Sequence, residues 1–384
     1  MRFLVAPDKF KGCLKATQVA RMIELGILDA WPSAQVKTIP LADGGEGTAE
    51  ILTKTFQAKT KRTIVHNPLG KKVFVKWGLK GKTAYLDFAS AAGFSLVPHA
   101  QRNPWKTSSY GVGELLRSAT DLGTHKMILG MGGSATVDGG IGMMKALGIR
   151  FLDKTGVEID EGGVGLLQLR KIDLQSCVWN RKSVELMVLT DVMNPLLGPD
   201  GAAPIFAPQK GASPSMVRKL AQGFENFEAI VHHQFGKSIG HLPAGGAAGG
   251  AIAGLVGILG CLEDVKIRVV QGIDYLLQVC HVEEAMRQSD WIFTGEGQLD
   301  LQTLKGKTVY GVASLAQKVH KPVIAFGGKI HLDPRTIQKM GLHAVFSITP
   351  KACSMEESLR KAAPWLRTIV RNITTLLRSE SCCW

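Results

Sequence analysis

Three features of this 384-residue sequence predict an α/β fold. The expected architecture is a doubly wound, Rossmann-like parallel sheet formed by both termini and interrupted by a second α/β domain. Short apolar runs alternate with stretches of helical period at each end of the chain, which is the grammar of a parallel sheet. Neither terminal set makes a sheet alone, but together they supply about five strands, a usual size. Glycine is enriched, at 44 residues against a usual frequency of roughly 7%, and it clusters in blocks where strands end.

In chain order, Arg2–Ala6 is an apolar run ending in Pro-Asp, a strand entering a loop. Thr17–Ala30 carries apolar residues at helical spacing after a threonine cap, and Gln35–Leu41 reads as a second strand. The loop Ala42–Gly47 then leads into a helix from Thr48. The C-terminal part repeats the alternation, with strands at Asp290–Phe293, Pro322–Phe326 and Ala344–Ile348. Its helices are expected near Thr308–Val319 and over Glu356–Leu377. The central region opens with hairpin-like strands at Val73–Trp77 and Thr83–Phe88, followed by strands at Met127–Leu129 and Val184–Leu189. These elements predict a discontinuous domain of residues 1–65 plus 281–384 and an inserted domain of residues 66–280, with the active site in the cleft between them.

Composition excludes several classes. Apolar residues make up 45% and charged residues 20%, enough to bury two cores. Seven cysteines without a C-x-x-C pair argue against a disulfide framework or a zinc site, and Cys382 and Cys383 are expected on a frayed tail. The apolar start MRFLVAPDKF is too short for a signal peptide, so a cytoplasmic enzyme is expected. Ala244–Leu262 is uncharged for nineteen residues, but seven are glycine, so it reads as a glycine loop feeding a buried helix and not as a membrane span. Net charge is +14, and Lys59–Lys82 holds eight lysines and arginines with no acid. No nucleic-acid-binding signature accompanies them, so a solvated basic face is expected and no nucleic-acid partner. His232-His233 falls in a helical polar run expected at the surface.

Five glycine blocks carry the candidate chemistry: Ala6–Gly12, Ala42–Gly47, Gly130–Gly140, Asp191–Gly198 running on to Ala207–Ala212, and Thr294–Gln302 near Gly306-Lys307-Thr308. Glycine-rich turns from strand to helix present backbone N–H groups and a helix dipole to anions. Ligands of α/β sheets collect beyond the carboxyl ends of the strands. Several blocks add a carboxylate, and phosphoryl transfer needs phosphate donors, carboxylates for Mg²⁺, a base near the hydroxyl, and cations. Familiar short fingerprints fail: Leu301 stands where a P-loop needs glycine, and neither G-x-S-x-G nor protein-kinase motifs occur.

At these blocks the chain resembles the type-1 glycerate kinases over nearly its whole length. The resemblance rests on APD-x-FKG (Ala6–Gly12), PLADGGEGT (Pro40–Thr48), TSSYGVGEL (Thr107–Leu115), GGSAT-x-DGG (Gly132–Gly140), DV-x-NPL-x-G (Asp191–Gly198), APQKGA (Ala207–Ala212), GAAGG (Gly246–Gly250) and TGEG-x-x-D-x-QT-x-x-GK (Thr294–Lys307). It implies a two-domain α/β kinase that uses Mg·ATP to phosphorylate D-glycerate, usually at the 2-hydroxyl. The chain departs from that pattern at Lys9 (usually Ser), Val137 (usually Asn), Ala244-Gly245-Gly246 (a permuted glycine loop) and Gln298 (usually Arg).

In that setting Asp191, Lys11 and Asp43 are the catalytic candidates, with Asp191 the base. Gly132, Gly133, Ser134, Asp138, Gly245, Gly246, Gly249, Gly250 and Lys307 are candidates for nucleotide phosphates. Asp8, Asn194, Lys210 and Gln298 are candidates for the substrate, and Glu296 and Asp300 for the metal. For Asp43 and Asp138 a loop or helix cap competes with these roles, and base and metal ligand can be exchanged among the carboxylates. The neighbouring readings are a kinase for the 3-hydroxyl or for a related hydroxy acid, and a ligand-binding relative without turnover. Glycerate and ATP are the expected small-molecule partners, and self-association is left open.

Overall fold

The computed structural model describes residues 1–180, 182–300, 303 and 307–381, with side chains through residue 379. Leu301, Gln302, Gly306, Cys382 and Cys383, singled out above, lie outside the described residues. The fold is α/β and divides into two compact units, Met1–Asp43 with Gln271–Trp384, and Gly44–Val270.

The first unit is built on a five-stranded, wholly parallel sheet. In spatial order its strands are Ala344–Ser347, Val323–Ile330, Trp291–Leu299, Arg2–Val5 and Gln35–Thr38. Numbered along the chain within this unit, the order is 5-4-3-1-2, so its direction reverses between Arg2–Val5 and Trp291–Leu299. Phe3 pairs with Trp291 on one side and with Val36 on the other. Phe3, Val5, Phe293, Ile324 and Phe326 bury one face of this sheet in a cluster with Val19, Ile23, Ile27, Leu366 and Val370 of helices Ala16–Ala30 and Met355–Ser381. Leu4, Ile292, Val323 and Ala325 have the opposite parity and are equally buried, so both faces are covered, as a parallel sheet requires. Gly26 lets the two long helices meet, since a Cβ there would lie 2.7 Å from the Arg367 carbonyl oxygen.

The second unit has a six-stranded mixed sheet in the order Val265–Gln271, Val184–Thr190, Lys126–Gly130, Thr83–Asp87, Lys72–Lys80, Lys59–His66. Thr83–Asp87, Lys126–Gly130 and Val184–Thr190 run parallel, and the last three strands in that order form an antiparallel meander. Near-continuous apolar sequence in the parallel strands (AYLD, MILG, LMVL) fits their burial on both faces.

Three expectations need correction. The chain passes between units at residues 43/44 and 270/271, not at 65/66 and 280/281. Lys59–His66 pairs with Lys72–Lys80 from Lys59↔Leu79 to His66↔Lys72, which draws it into the second sheet. The Thr294–Gly297 block is not a turn but the second half of strand Trp291–Leu299, and Gly327-Gly328 lies within strand Val323–Ile330. Glycine here permits backbone approach: a Cβ on Gly295 would lie 2.5 Å from the Phe326 carbonyl oxygen. The glycine run at 245–250 does feed a buried helix, Ala247–Gly257, but its first turn is left-handed at Ala248, Gly249 and Gly250. Among the described residues no helix is long and apolar enough to cross a membrane.

Candidate active site

In the first unit the chemistry gathers beyond the carboxyl ends of strands Arg2–Val5, Gln35–Thr38 and Trp291–Leu299, where the strand order reverses. That switch point is where open α/β sheets leave a crevice for ligands. The Asp8 N–H donates to the Gly295 carbonyl at 2.8 Å, which ties the first block to the fifth. Asp8 is 3% exposed, and its carboxylate accepts from the Thr308 hydroxyl at 2.7 Å and the Lys9 N–H at 2.6 Å. The Lys9 ammonium stands 3.6 Å from Asp8 and 3.5 Å from Asp43, bridging two blocks. Burial pushes the Asp8 carboxyl above the usual carboxylate range, opposed by Lys9 and reinforced by Asp43.

Glu296 is 6% exposed and accepts from the Thr303 hydroxyl at 2.6 Å. Burial pushes its carboxyl up to about 8, against the pull of Thr303 and Lys307, with Asp8 and Asp43 adding to the rise. Asp8, Asp43 and Glu296 therefore sense one another's charge. The Asp300 N–H donates to Thr303 Oγ1 at 3.1 Å, and its carboxylate accepts from Gln298 Nε2 at 2.7 Å. Gln298 thus holds Asp300, where the sequence suggested a substrate contact. Lys11 is exposed and Lys307 half-buried at the start of helix Thr308–Lys318.

Mg²⁺ commonly uses one or two carboxylates and completes its shell with water and phosphate oxygens. Among the described residues no three Asp, Glu, His or Cys side chains form a cage for a metal. A buried glutamate whose carboxyl is pushed up by burial, with two nearby acids adding to the rise, suits that sparser mode, because a divalent cation would favour its charged form.

In the second unit the loops after Thr83–Asp87, Lys126–Gly130 and Val184–Thr190 converge with residues 44–47. The Gly132 N–H donates to the Gly44 carbonyl at 3.2 Å, and a Cβ on Gly132 would come within 2.8 Å of Gly45 Cα and 3.8 Å of Asp191 Oδ1. Gly132 thus lets the loop pack on Gly45, and the Asp191 carboxylate lies beside it. Asn194 donates to the Asp200 carbonyl at 2.8 Å, which fixes the loop after Asp191. Asp87, not foreseen from sequence, accepts from the N–H groups of Gly47 and Ala49 at the start of helix Thr48–Thr55.

Several of the anion-binding and substrate candidates hold the loops together. Asp138 is fully buried and accepts from the Ser109 N–H and hydroxyl and from the N–H groups of Gly140 and Gly142. That is the cap reading, with no lone pair directed at solvent. Lys210, 3% exposed, donates to Ser134 Oγ at 2.8 Å and the Thr136 carbonyl at 2.7 Å. Burial lowers its pKa to about 7, outweighing the attraction of Asp138. The N–H groups of Gly245, Gly246 and Gly250 donate to the Leu242, Asn194 and Gly246 carbonyls, and Gly249 packs on Thr136 and Val137. These glycines allow close packing of the loop on its neighbours. Gly133, in the left-handed region at φ 81°, turns the loop between Gly132 and Ser134.

An α/β protein with a buried acid cluster at the switch point of a parallel sheet belongs among the ligand-binding α/β folds, many of them enzymes of phosphate chemistry. Comparison with known proteins narrows that class. Residues 3–378 match the model of the glycerate kinase family. A glycerate kinase of Halalkalibacterium halodurans is 40% identical over 97% of both chains, and a glycerate 2-kinase of Escherichia coli is 38% identical over 98% of both. The crystal structure of a putative glycerate kinase 2 from Salmonella typhimurium LT2 superposes with a TM-score of 0.80, at 38% identity and covering 99% of each chain. The chain belongs to the glycerate kinase family and is a phosphotransferase.

Proposed function

We propose that this enzyme transfers the γ-phosphoryl group of ATP to the 2-hydroxyl of D-glycerate, giving 2-phosphoglycerate and ADP in the cytoplasm. The supporting observation is the cluster of Asp8, Asp43 and Glu296 at the switch point of the first sheet, where burial raises the Glu296 carboxyl to about 8 and the two aspartates add to the rise. The Escherichia coli relative, described as a glycerate 2-kinase, favours the 2-position. Glu296, with help from Asp43 and Asp300, would hold Mg²⁺, which would supply neutralisation of phosphate charge. Lys11 and Lys307 add cations for the charge that builds up during transfer. Lys9 keeps Asp8 and Asp43 at fixed positions.

In the second unit Asp191 orients the substrate hydroxyl and accepts its proton, and Asn194 holds the loop that carries it. Lys210, Ser134 and Asp138 fix the loop beside Asp191. A coupled ADP-release assay over glycerate, hydroxypyruvate and tartronate, with NMR of the product, tests the reading. A 3-phosphate product would move the reaction to the other hydroxyl. Preference for another acid would move the substrate. Nucleotide or glycerate binding without ADP release would make the chain a binding relative.

A further inference from the structure

The basic stretch from Lys59 to Lys82 takes no part in the site above. It folds as the antiparallel pair Lys59–His66 and Lys72–Lys80 at the rim of the six-stranded sheet, with Lys59–His66 as the edge strand. One face of the pair is packed. Val65, Val75 and Trp77 are buried, the Trp77 indole donates to Thr63 Oγ1 at 2.9 Å, and Thr63 meets Ser118 of helix Tyr110–Asp121 at 3.1 Å.

The opposite face is bare. Ile64 and Phe74 are register partners and so share it, and they are 53% and 77% exposed. The adjacent rung pairs Arg62 with Lys76, both exposed, and the rung beyond Phe74 brings exposed Lys72 opposite His66. Helix Thr48–Thr55 covers this face only near Gly78, where a Cβ would overlap Thr53. Single exposed apolar residues are ordinary. Here an aromatic–aliphatic pair stands among cations on a strand with no neighbour on its outer side among the described residues.

Lysines on an edge strand discourage pairing with a like strand. Two copies laid edge to edge antiparallel over the whole strand would set Lys59 against His66, Lys61 against Ile64 and Arg62 against Thr63, so no opposite charge meets these cations across the ladder. The same charges favour a carboxylate-rich strand. Stacking of nucleobases needs aromatic faces in series, and this face offers one phenyl ring beside an isoleucine.

We propose that this hairpin is a docking edge for an acidic, extended protein segment. The segment adds as a strand beside Lys59–His66, setting a carboxylate beside Arg62 and an apolar side chain beside Ile64, with Lys72, Phe74 and Lys76 one strand further in on the same face. Main-chain hydrogen bonds supply the affinity and the alternating side chains the selectivity. The His66 N–H already donates to Glu114 at 2.7 Å, so the added pairing stops before it.

The test uses the full chain and a fluorescein-labelled decapeptide, Glu-Thr-Val-Thr-Glu-Thr-Val-Thr-Glu-Thr, whose Glu and Val residues take turns on one face, read by anisotropy. The same peptide N-methylated at every residue keeps the charge but cannot donate to a ladder, and its binding should be weaker by about tenfold or more. Phe74→Ser and the double variant Arg62→Glu, Lys76→Glu should each abolish binding of the unmethylated peptide while leaving glycerate phosphorylation intact, which confirms folding. Binding should weaken as salt rises. Equal affinity for the two peptides would overturn strand addition. Tighter binding of oligo-dT or of phosphatidylglycerol vesicles would overturn a protein partner. Sedimentation as a dimer that Phe74→Ser dissolves would reassign the face to a second copy of this chain.

Discussion

The Thr308 hydroxyl donates to the buried Asp8 carboxylate at 2.7 Å, joining residues 300 positions apart in sequence. Thr308 opens the helix that follows the fifth block, and Asp8 closes the first. Thr308→Val would leave a buried carboxylate oxygen without this partner, a loss of about 1–3 kcal/mol. Urea unfolding should show that drop, and Thr308→Ser should recover most of it. Because the hydroxyl lowers the Asp8 pKa, the valine variant should also raise it further.

Lys210 makes stability depend on pH in a defined window. Its folded pKa is about 7, whereas a lysine of the unfolded chain titrates near 10.4, about the reference value. Between these values the unfolded chain binds a proton that the folded chain has released, so stability rises with pH there and the slope vanishes below about 7. Lys210→Met should remove this component. Urea midpoints from pH 6.5 to 9.5, taken as wild type minus variant, should climb by at most about 1.4 kcal/mol per pH unit. The raised pKa of Asp138 acts in the opposite sense, lowering stability as pH rises from its ordinary value toward its folded one.

Two left-handed glycines should respond differently to alanine. At Gly249, φ +68°, a Cβ would overlap the Thr136 carbonyl oxygen and lie 2.7 Å from Val137 Cα. At Gly12, φ +74°, nothing stands within 4 Å. Gly12→Ala should cost only the left-handed penalty of about 1–2 kcal/mol, whereas Gly249→Ala adds steric conflict in the core. Thermal melting should show the larger loss at Gly249.

Asp191→Asn tests the base. General-base assistance is worth about 10²–10⁴ in rate, so kcat should fall within that range while ATP affinity changes little. A variant keeping more than about a tenth of the rate would remove Asp191 from the role.

Strand positions were legible because apolar runs such as RFLV and MILG stop abruptly at Pro-Asp or glycine. The acid-bearing blocks were legible for the same reason, since Asp8, Asp43 and Asp191 each follow a strand. Other features were hidden by glycine's two uses. Thr294–Gly297 reads as a turn, yet those glycines let two parallel strands approach. Gly245–Gly250 reads as an anion cradle, yet its N–H groups mostly serve the fold. The hydroxyl partners Thr303, Thr308 and Ser109 have no local signature of their own. Thr308 and Ser109 meet their acids across long stretches of sequence, and Thr303 reaches Glu296 only because the strand carries that side chain inward. The unit boundary was missed because Lys59–His66, exposed and basic on its outer face, gives no hint of which sheet it joins.

Because strand Arg2–Val5 takes Trp291–Leu299 as a neighbour, it waits on the ribosome for a segment made nearly three hundred residues later. Gly44–Val270 contains all the partners of its own sheet and can mature during synthesis, while residues 1–43 lack most of theirs. Contacts of such long range close slowly and leave apolar edges open in the interval. The N-terminal 43 residues are therefore the part of the nascent chain that most needs a chaperone's protection.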